Sequence, residues 1–299
     1  MAVVAQAPVL VRRDARRRRA NGLYTRFVGI AGAGTSAVIL LLMATILFKG
    51  LPAINWEFLS CPPTNGMTAG GIWPMIRGSI LLMVGAFVVA LPLGVLAGVC
   101  LAEYAGQSRF TRLMRASVTS LAGTPSIVYG LFGLAIFVLK FHMKISLLAG
   151  CCTLGLFALP VIVLTTDQAI RAVPSSFIDG GLALGLSRWQ TIRRIVLPNA
   201  LPGILTGVVL ASGRAAGEAP PILLTAGIYY ASGALTWGWD MLRRPVANLP
   251  YHLAEGYRQG GVIPERTIWG TCLTLMLFVL LINLASLIVR ARVRRRQQW

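Results

Sequence analysis

The sequence predicts an all-α, polytopic membrane protein with six transmembrane helices, and its composition, its apolar runs and the placement of its basic residues all favour this fold class. Of the 299 residues, 56% are hydrophobic and 12% are charged, which leaves too little polar surface to cover a water-soluble globule. Apolar runs long enough to cross about 30 Å of hydrocarbon recur along the chain. We expect the spans at 29–52, 77–102, 117–139, 145–166, 203–228 and 268–289.

The first span follows an arginine-rich stretch that superficially suits a secretory signal. The stretch from Arg12 to Arg26 is too long for one, and no small-residue cleavage site followed by a soluble domain occurs. We therefore expect a retained first helix within one membrane domain at 23–290. A disordered basic cytoplasmic tail is expected at 1–22, and a short basic tail at 291–299.

Prolines interrupt three of the predicted spans. Pro92 lies in the second span, Pro125 in the third and Pro160 in the fourth. Each removes a backbone hydrogen bond and permits a kink, which a membrane protein tolerates when neighbouring groups satisfy the freed carbonyl. Kinks occur in inert bundles as well as in transporters, so they do not decide the function.

The net charge of +19 would also suit a nucleic-acid-binding protein, so the placement of the basic residues has to decide. Nineteen of the 28 basic residues lie in the two tails and in the segments 103–116 and 167–202, whereas the intervening segments carry six. Both termini and these two loops are therefore expected in the cytoplasm, which an even number of spans allows. Membrane lipid, and not nucleic acid, is then the expected partner of the tails.

Two longer segments are expected on the outer face. Residues 55–73 contain turn-forming proline and glycine pairs, which predict an ordered surface loop. Residues 229–266 either carry short helices against the outer face, able to receive a soluble partner, or form a solvated connector. Because no CxxC pair occurs, and His142 and His252 lie far apart, we expect no disulfide and no metal site.

The most informative cytoplasmic segment is the loop 174–198. One of the serines at 175–176 can cap a helix that has Asp179 in its first turn, where the helix dipole favours an acid. Gly185 then ends this helix, and a second amphipathic piece starts at Ser187. Two short helices that meet at a glycine form either a knob that docks in the cleft of a partner or an ordinary interfacial helix.

The spacing in this loop resembles the signature of ABC importer permeases: an acid, two alanines, three residues, glycine, nine residues, isoleucine, one residue, leucine and proline. The matching positions are Asp179, Gly180, Gly181, Gly185, Ile195, Leu197 and Pro198. Two glycines stand here in place of the alanines, and each costs a helix about 1 kcal/mol relative to alanine. The resemblance implies a type I ABC importer permease fold and a loop that docks in a separate ATPase subunit.

The chain itself is not expected to be an enzyme. None of its three lysines follows a glycine, so it contains no P-loop lysine. We therefore expect no catalytic residue and no cofactor on this chain, with ATP and magnesium bound by the partner ATPase.

Four further motifs and two outer dipeptides resemble the phosphate permease family, specifically its A-type subunit. They are Leu101–Tyr104, Thr124–Leu131, Gly213–Pro220 and Pro245–Pro250, together with Pro62-Pro63 and Gly70-Gly71. The resemblance implies a bacterial inner-membrane importer with a second permease subunit, two ATPase subunits inside and a phosphate-binding protein outside. A permease for another oxyanion, sulfate or molybdate, is the nearest alternative.

Arg214 and Glu218 are the candidate substrate-pathway residues. Four residues apart in the middle of the fifth predicted span, they are expected on one helix face. A charge in the bilayer is unfavourable by at least about 2.5 kcal/mol, so an intramembrane arginine with an adjacent acid suggests a low-affinity relay for hydrogen phosphate. The rival interpretation is a structural pair that bridges to the partner permease. Arg77, at the outer edge of the second span, is a weaker candidate or an interface anchor.

Two other classes of membrane protein remain as alternatives. A secondary anion carrier or a channel also needs broken helices and intramembrane charge, but it leaves the 179–198 pattern unexplained. A membrane-embedded enzyme would be expected to cluster carboxylates or histidines, and the nine acidic residues are scattered.

Overall fold

The computed structural model describes residues 7–106, 108–228, 238–258 and 263–295, and this part of the chain is mostly helical. Its α-helices, numbered in chain order α1 to α13, are Ala7–Gly50, Trp56–Ser60, Trp73–Val99, Arg109–Ala122, Ser126–Gly133, Leu147–Arg171, Ser175–Ala183, Arg188–Thr191, Leu197–Ala216, Pro220–Leu223, Trp239–Leu242, Leu249–Arg258 and Glu265–Arg295. Two strands, β1 (Pro63–Thr64) and β2 (Ala69–Gly70), pair antiparallel. Wider π-helical turns extend α3 and α5 at their C-termini, to Tyr104 and Lys140, and a third joins α8 to α9.

The described residues contain five single helices that are long and apolar enough to cross a membrane. They are Tyr24–Ala53, Trp73–Tyr104, Leu147–Arg171, Arg188–Ala216 and Glu265–Val293. A sixth span is a pair of helices, Arg109–Ala122 and Ser126–Lys140, bent by 101°. The expectation of a six-span all-α membrane protein is therefore confirmed, with the third predicted span sharply bent.

The boundaries of two predicted elements were wrong. The fifth span runs from Arg188 to Ala216 and not over 203–228, because the helix continues out of the cytoplasmic loop and ends before Pro220 and Pro221. The first helix begins at Ala7, so residues 7–22 are helical where a disordered tail was expected. Alanine and arginine, which dominate that stretch, are good helix formers, so the helix extends beyond its apolar part. Residues 1–6 lie outside the described part of the chain.

Helices α3 and α6 form the centre of the fold, and glycines bring them close together. A Cβ atom on Gly94 would lie 2.7 Å from Cγ2 of Ile162, and one on Gly98 would lie 2.5 Å from Cβ of Thr166. Pro92 and Pro160 lie inside these two helices without ending them. Small residues allow the backbones to approach, which is how membrane helices pack in the absence of a hydrophobic driving force.

The described parts of the two segments predicted on the outer face pack together as a cap. Asn55 caps α2, where its side chain accepts a hydrogen bond from the Phe58 amide at 2.7 Å, and the β-hairpin follows. In the second segment, α12 packs against α3, where the Ser79 hydroxyl accepts a hydrogen bond from the Leu249 amide at 2.9 Å. The predicted short helices are confirmed at 239–242 and 249–258, while 229–237 and 259–262 lie outside the described residues.

Candidate functional site

Two breaks in the helical structure, the bend of the third span and the end of α9, lie at the same depth of the bundle. The third span bends between α4 and α5, because Pro125 takes an extended conformation and starts a new helix at Ser126. The helix α9 ends at Ala216, and the short helix α10 starts at Pro220. The breaks face each other closely, since a Cβ atom on Gly130 would lie 2.7 Å from the Pro220 carbonyl oxygen.

Arg214 lies between the two breaks. Its guanidinium donates a hydrogen bond to the carbonyl oxygen of Ala122, at the C-terminus of α4, over 3.0 Å. The same group lies 4.5 Å from the ring centroid of Phe157, within the range of a cation–π interaction. Arg214 thus satisfies a carbonyl near the bend in the chain, as an interrupted membrane helix requires.

Glu218 lies beyond the end of α9 and not on a shared helix face with Arg214, which corrects the predicted arrangement. The two side chains still meet, with Nε of Arg214 4.0 Å from Oε1 of Glu218. Both remain accessible, at 40% and 20% of the side-chain surface. The pair is nevertheless in the middle of the bundle, because Phe157 lies near the centre of α6.

Tyr129 is a residue of this site that the sequence analysis quoted only as part of a motif. Its hydroxyl donates a hydrogen bond to the Leu121 carbonyl over 2.8 Å, and its ring meets Phe157 edge to face at 5.4 Å. Tyr129 and Arg214 therefore donate hydrogen bonds to two consecutive carbonyl oxygens in the last turn of α4. The sequence signal that could have identified Tyr129 is its position shortly after Pro125, which interrupts the third predicted span.

Arg77 is not brought to this site. It lies half-buried near the start of α3, whereas the part of α3 level with Phe157 is near Val89, which lies close to Gly155. A rise of 1.5 Å per residue places Arg77 roughly 18 Å further toward the outer face. It is therefore no part of the Arg214 site.

The predicted pair of short helices in the cytoplasmic loop is confirmed. Helices α7 and α8 meet at Gly185, whose φ of +79° is a left-handed conformation that favours glycine. Ser187 forms a reciprocal capping box with Gln190 at the start of α8. One detail was wrong: Pro174 precedes the first helical residue, Ser175, so no serine caps α7 and Asp179 lies beyond its first turn.

The two glycines that replace alanines in this loop differ in their surroundings. A Cβ atom on Gly181 would lie 2.7 Å from Cγ2 of Thr191 and 3.0 Å from Cδ1 of Ile195, whereas one on Gly180 would meet nothing within 4 Å. Gly181 thus holds α7 against the next helix, while Gly180 faces away. Leu197 is half-buried and Pro198 exposed, at the start of α9.

An apolar tip projects from this loop. Leu184 is 82% exposed and Trp189 is 49% exposed. Side chains of this kind, on a compact pair of helices, fit a contact with a partner protein.

Arg188 ties the loop to the end of the second span. Its guanidinium lies 3.7 Å from Oε2 of Glu103 and over the ring of Tyr104 at 5.5 Å, and it also donates to the Glu103 carbonyl. The loop therefore contacts the extended end of α3.

Asp167 is the second site residue that sequence reasoning missed. Its buried carboxylate accepts from Nε of Arg115 at 3.2 Å and from Nε of Arg171 at 3.0 Å. Both arginines also donate to the Leu101 carbonyl. The spacing of Asp167 and Arg171 indicates an ion pair on one helix face, and this could have been predicted. The contact with Arg115 could not, because Arg115 is 52 residues away in the sequence. This network joins α4 and α6 to the extended end of α3.

The described residues contain no group of three or more His, Cys, Asp or Glu side chains able to hold a metal ion. The absence of a metal site stays a prediction for the whole chain.

Comparison with known sequences identifies the family. Residues 90–299 match the family model described as "Binding-protein-dependent transport system inner membrane component". The chain is 34% identical to the "Probable ABC transporter permease protein YqgI" of Bacillus subtilis, over 90% of this chain and 95% of that protein.

Several relatives carry a phosphate-transport name. The "Phosphate transport system permease protein PstA" of Yersinia pestis is 34% identical, over 85% of this chain and 84% of its own length. "PstA 1" of Mycobacterium tuberculosis is 31% identical, over 95% and 91%. The resemblance to phosphate permeases drawn from the motifs is therefore confirmed.

Solved structures of ABC importers share the fold. A chain of the inward-facing MetNI methionine transporter superposes with a TM-score of 0.55 at 21% identity, over 75% of this chain and 94% of that one. A chain of a bacterial alginate importer gives 0.54 at 14% identity, over 73% and 78%. The six-span architecture, the two-helix cytoplasmic loop and the matched family model together show that this multi-pass membrane protein belongs to the binding-protein-dependent ABC importer permeases and has their type I fold.

Proposed function

We propose that this chain is the permease subunit of an ATP-driven phosphate importer and forms half of its translocation pathway. The names of the relatives support the substrate. The observation that carries the pathway is Arg214, an accessible guanidinium between the bend of the third span and the end of α9 in the middle of the bundle. Discontinuous helices at mid-membrane are a recurrent way to build a transport site.

Arg214 has the chemistry needed to bind hydrogen phosphate weakly. Within the described ranges, the guanidinium makes one hydrogen bond, from Nη1 to Ala122, and its Nε faces Glu218. Its Nη2 group can therefore engage an oxyanion, and the guanidinium fork suits bidentate binding. Glu218, 4.0 Å away, opposes tight binding of a dianion by like-charge repulsion. A relay site must release its ligand, so a balanced pair suits it better than a lone cation.

The exposed polar residues of α4 support a water-filled path from this site to the cytoplasm. The side of this helix turned away from α6 exposes Ser117 and Ser120 near the bend and Arg109 and Arg112 at its start, interleaved with the exposed Phe110 and Leu113. Hydroxyl and guanidinium groups are unfavourable against lipid tails, so this face is expected to meet water or a second permease subunit. Both are expected at the centre of a heterodimeric pore.

The cytoplasmic loop is proposed to couple this path to a separate ATPase. Leu184 and Trp189 would enter the cleft of the ATPase, which binds ATP and magnesium, and its closure would move α7 and α8. Arg188 and the Asp167 network would carry that movement to the ends of α3, α4 and α6. ATP binding would open the pore outward, and hydrolysis would release phosphate inward.

The proposed assembly has two permease subunits, two ATPase subunits and an outer phosphate-binding protein. The distribution of basic residues supports an orientation in the bacterial inner membrane with both termini in the cytoplasm. The cap formed by 55–73 and by α12 then faces outward, where a binding protein delivers its ligand.

Replacement of Arg214 tests the pathway role. We expect R214Q to lower phosphate uptake by proteoliposomes containing the full complex at least tenfold, because the oxyanion loses the cation of the proposed site. R26Q, which removes an exposed arginine of α1, is the matched control and should transport normally. Normal uptake by R214Q would contradict the pathway role, and failed assembly would favour a structural pair.

The same proteoliposomes distinguish the alternative substrates and mechanisms. Excess sulfate or molybdate should not reduce phosphate uptake when the purified binding protein is supplied. Competition would indicate a permease for another oxyanion, and uptake that persists without ATP would indicate a secondary carrier.

A further inference from the structure

A cleft opens at the cytoplasmic end of the bundle, beside the loop but away from the Arg214 site. Its cavity of about 560 Å³ lies where α6 ends, α7 begins and α9 and α13 cross. Most of its lining is apolar or small, and the residues are Ala169, Ala172, Val173, Pro174, Phe177, Asn199, Ala200, Pro202, Gly203, Thr206 and Arg290.

Arg290 is the one charged residue among those that line the cleft. It is half-buried and forms no ion pair with any residue in the described ranges. Its position agrees with the antiparallel packing of α9 on α13, in which Gly213 lies against Asn283. Seven residues further toward the cytoplasm on each helix, Thr206 and Arg290 both line the cleft. A half-buried cation without an internal counterion calls for an external anion.

The level of the cleft in the membrane indicates the source of that anion. Along α13, the exposed side chains before Arg290 are apolar, among them Leu284, Leu287 and Val289 at 54%, 47% and 48% exposure. Arginines then recur from Arg290 to Arg296. Arg290 therefore marks the level at which acyl chains give way to headgroups on this side of the bundle.

We propose that this cleft binds one anionic phospholipid of the inner leaflet. The lipid phosphate pairs with the Arg290 guanidinium, and an acyl chain lies against the apolar walls formed by Val173, Phe177 and Gly203. A free phosphate ion would use the guanidinium but gain nothing from these walls. The apolar lining thus favours a lipid over a soluble anion.

The position of the cleft gives the bound lipid a consequence for the loop. Pro174 and Phe177, which line the cleft, belong to the start of α7, the first of the two coupling helices. A lipid held there braces α7 against α9 and α13. Anionic lipid is then expected to stabilise the loop as well as to occupy the cleft.

Lipid retention by the intact, purified full chain tests the site. Protein reconstituted with phosphatidylglycerol is re-extracted in mild detergent, and the bound lipid is counted by native mass spectrometry. The wild type should retain one phosphatidylglycerol and release phosphatidylcholine, whereas R290Q should retain at least fivefold less. R292Q is the matched control, since it removes an exposed arginine two residues away that does not line the cleft, and it should behave as the wild type.

A second variant tests the apolar walls with Arg290 intact. A172W fills the cleft from the exposed end of α6 and should lose the lipid to the same extent as R290Q, while R290K should retain most of it. Equal retention by R290Q and R292Q would overturn the proposal. So would displacement of the lipid by millimolar inorganic phosphate, which would identify a soluble-anion site. Neither readout depends on phosphate transport, so the result stands apart from the proposed function.

Discussion

At the scale of single residues, His252 makes the outer cap sensitive to pH. It lies in α12 with only 3% of its surface exposed, and burial lowers the pKa of its imidazole to about 4, from an ordinary value of 6.5. Because the unfolded chain binds the proton more readily than the folded one, stability is full above pH 6.5. It is lost as the pH falls from about 6.5 toward 4, by up to ~3 kcal/mol.

We therefore expect hydrogen exchange in α12 to be several-fold faster at pH 5 than at pH 7.5, after correction for the intrinsic exchange rate. H252Q should remove this dependence, and H142Q, at an exposed loop position, should leave it unchanged. An H252Q protein that keeps the wild-type pH dependence would show that another group is responsible.

The adjacent glycines of α7 allow a second test at the scale of single residues, in which Gly180 serves as the control for Gly181. G181A places a Cβ atom 2.7 Å from Thr191 and should separate α7 from α8, lowering the melting temperature and the co-purification of an ATPase subunit. G180A meets open space and should stabilise the loop by up to about 1 kcal/mol, because alanine favours the helix. Equal effects of the two substitutions would contradict the observed packing.

At the scale of elements, the Asp167 network fixes how α3, α4 and α6 meet. Its carboxylate joins Arg115 of α4 to Arg171 of α6, and both arginines reach the Leu101 carbonyl beyond α3. Loss of the acid leaves two neighbouring cations without a counterion, which is strongly unfavourable in a partly buried setting.

D167N should therefore lower the melting temperature by several degrees. In the assembled complex it should reduce phosphate uptake more than ATP hydrolysis, because the loop would move without carrying α4. T165S, two residues away on the same helix, is the matched control. A D167N complex that keeps the wild-type ratio of uptake to hydrolysis would assign the network a stabilising role alone.

The sequence predicted elements with strong local signals and missed the contacts between distant ones. The apolar runs located six spans, and Gly185 and Ser187 marked the two loop helices, since a left-handed turn and a helix cap are local features. The hydropathy of 203–228 concealed the end of α9 at Ala216, although Pro220 and Pro221 could have revealed it. The contacts of Arg115 with Asp167 and of Arg214 with Ala122 join residues 52 and 92 positions apart, which no local pattern encodes.

At the scale of the whole molecule, α3 and α6 are packed so closely that we expect them to move as one rigid unit. A shift of one helix along the other by a single residue would bring ordinary side chains onto Gly94 and Gly98, where not even a methyl group has room. The two helices must therefore tilt or translate together. A push on α7, which follows α6 after a short turn, is therefore expected to displace α3 together with α6.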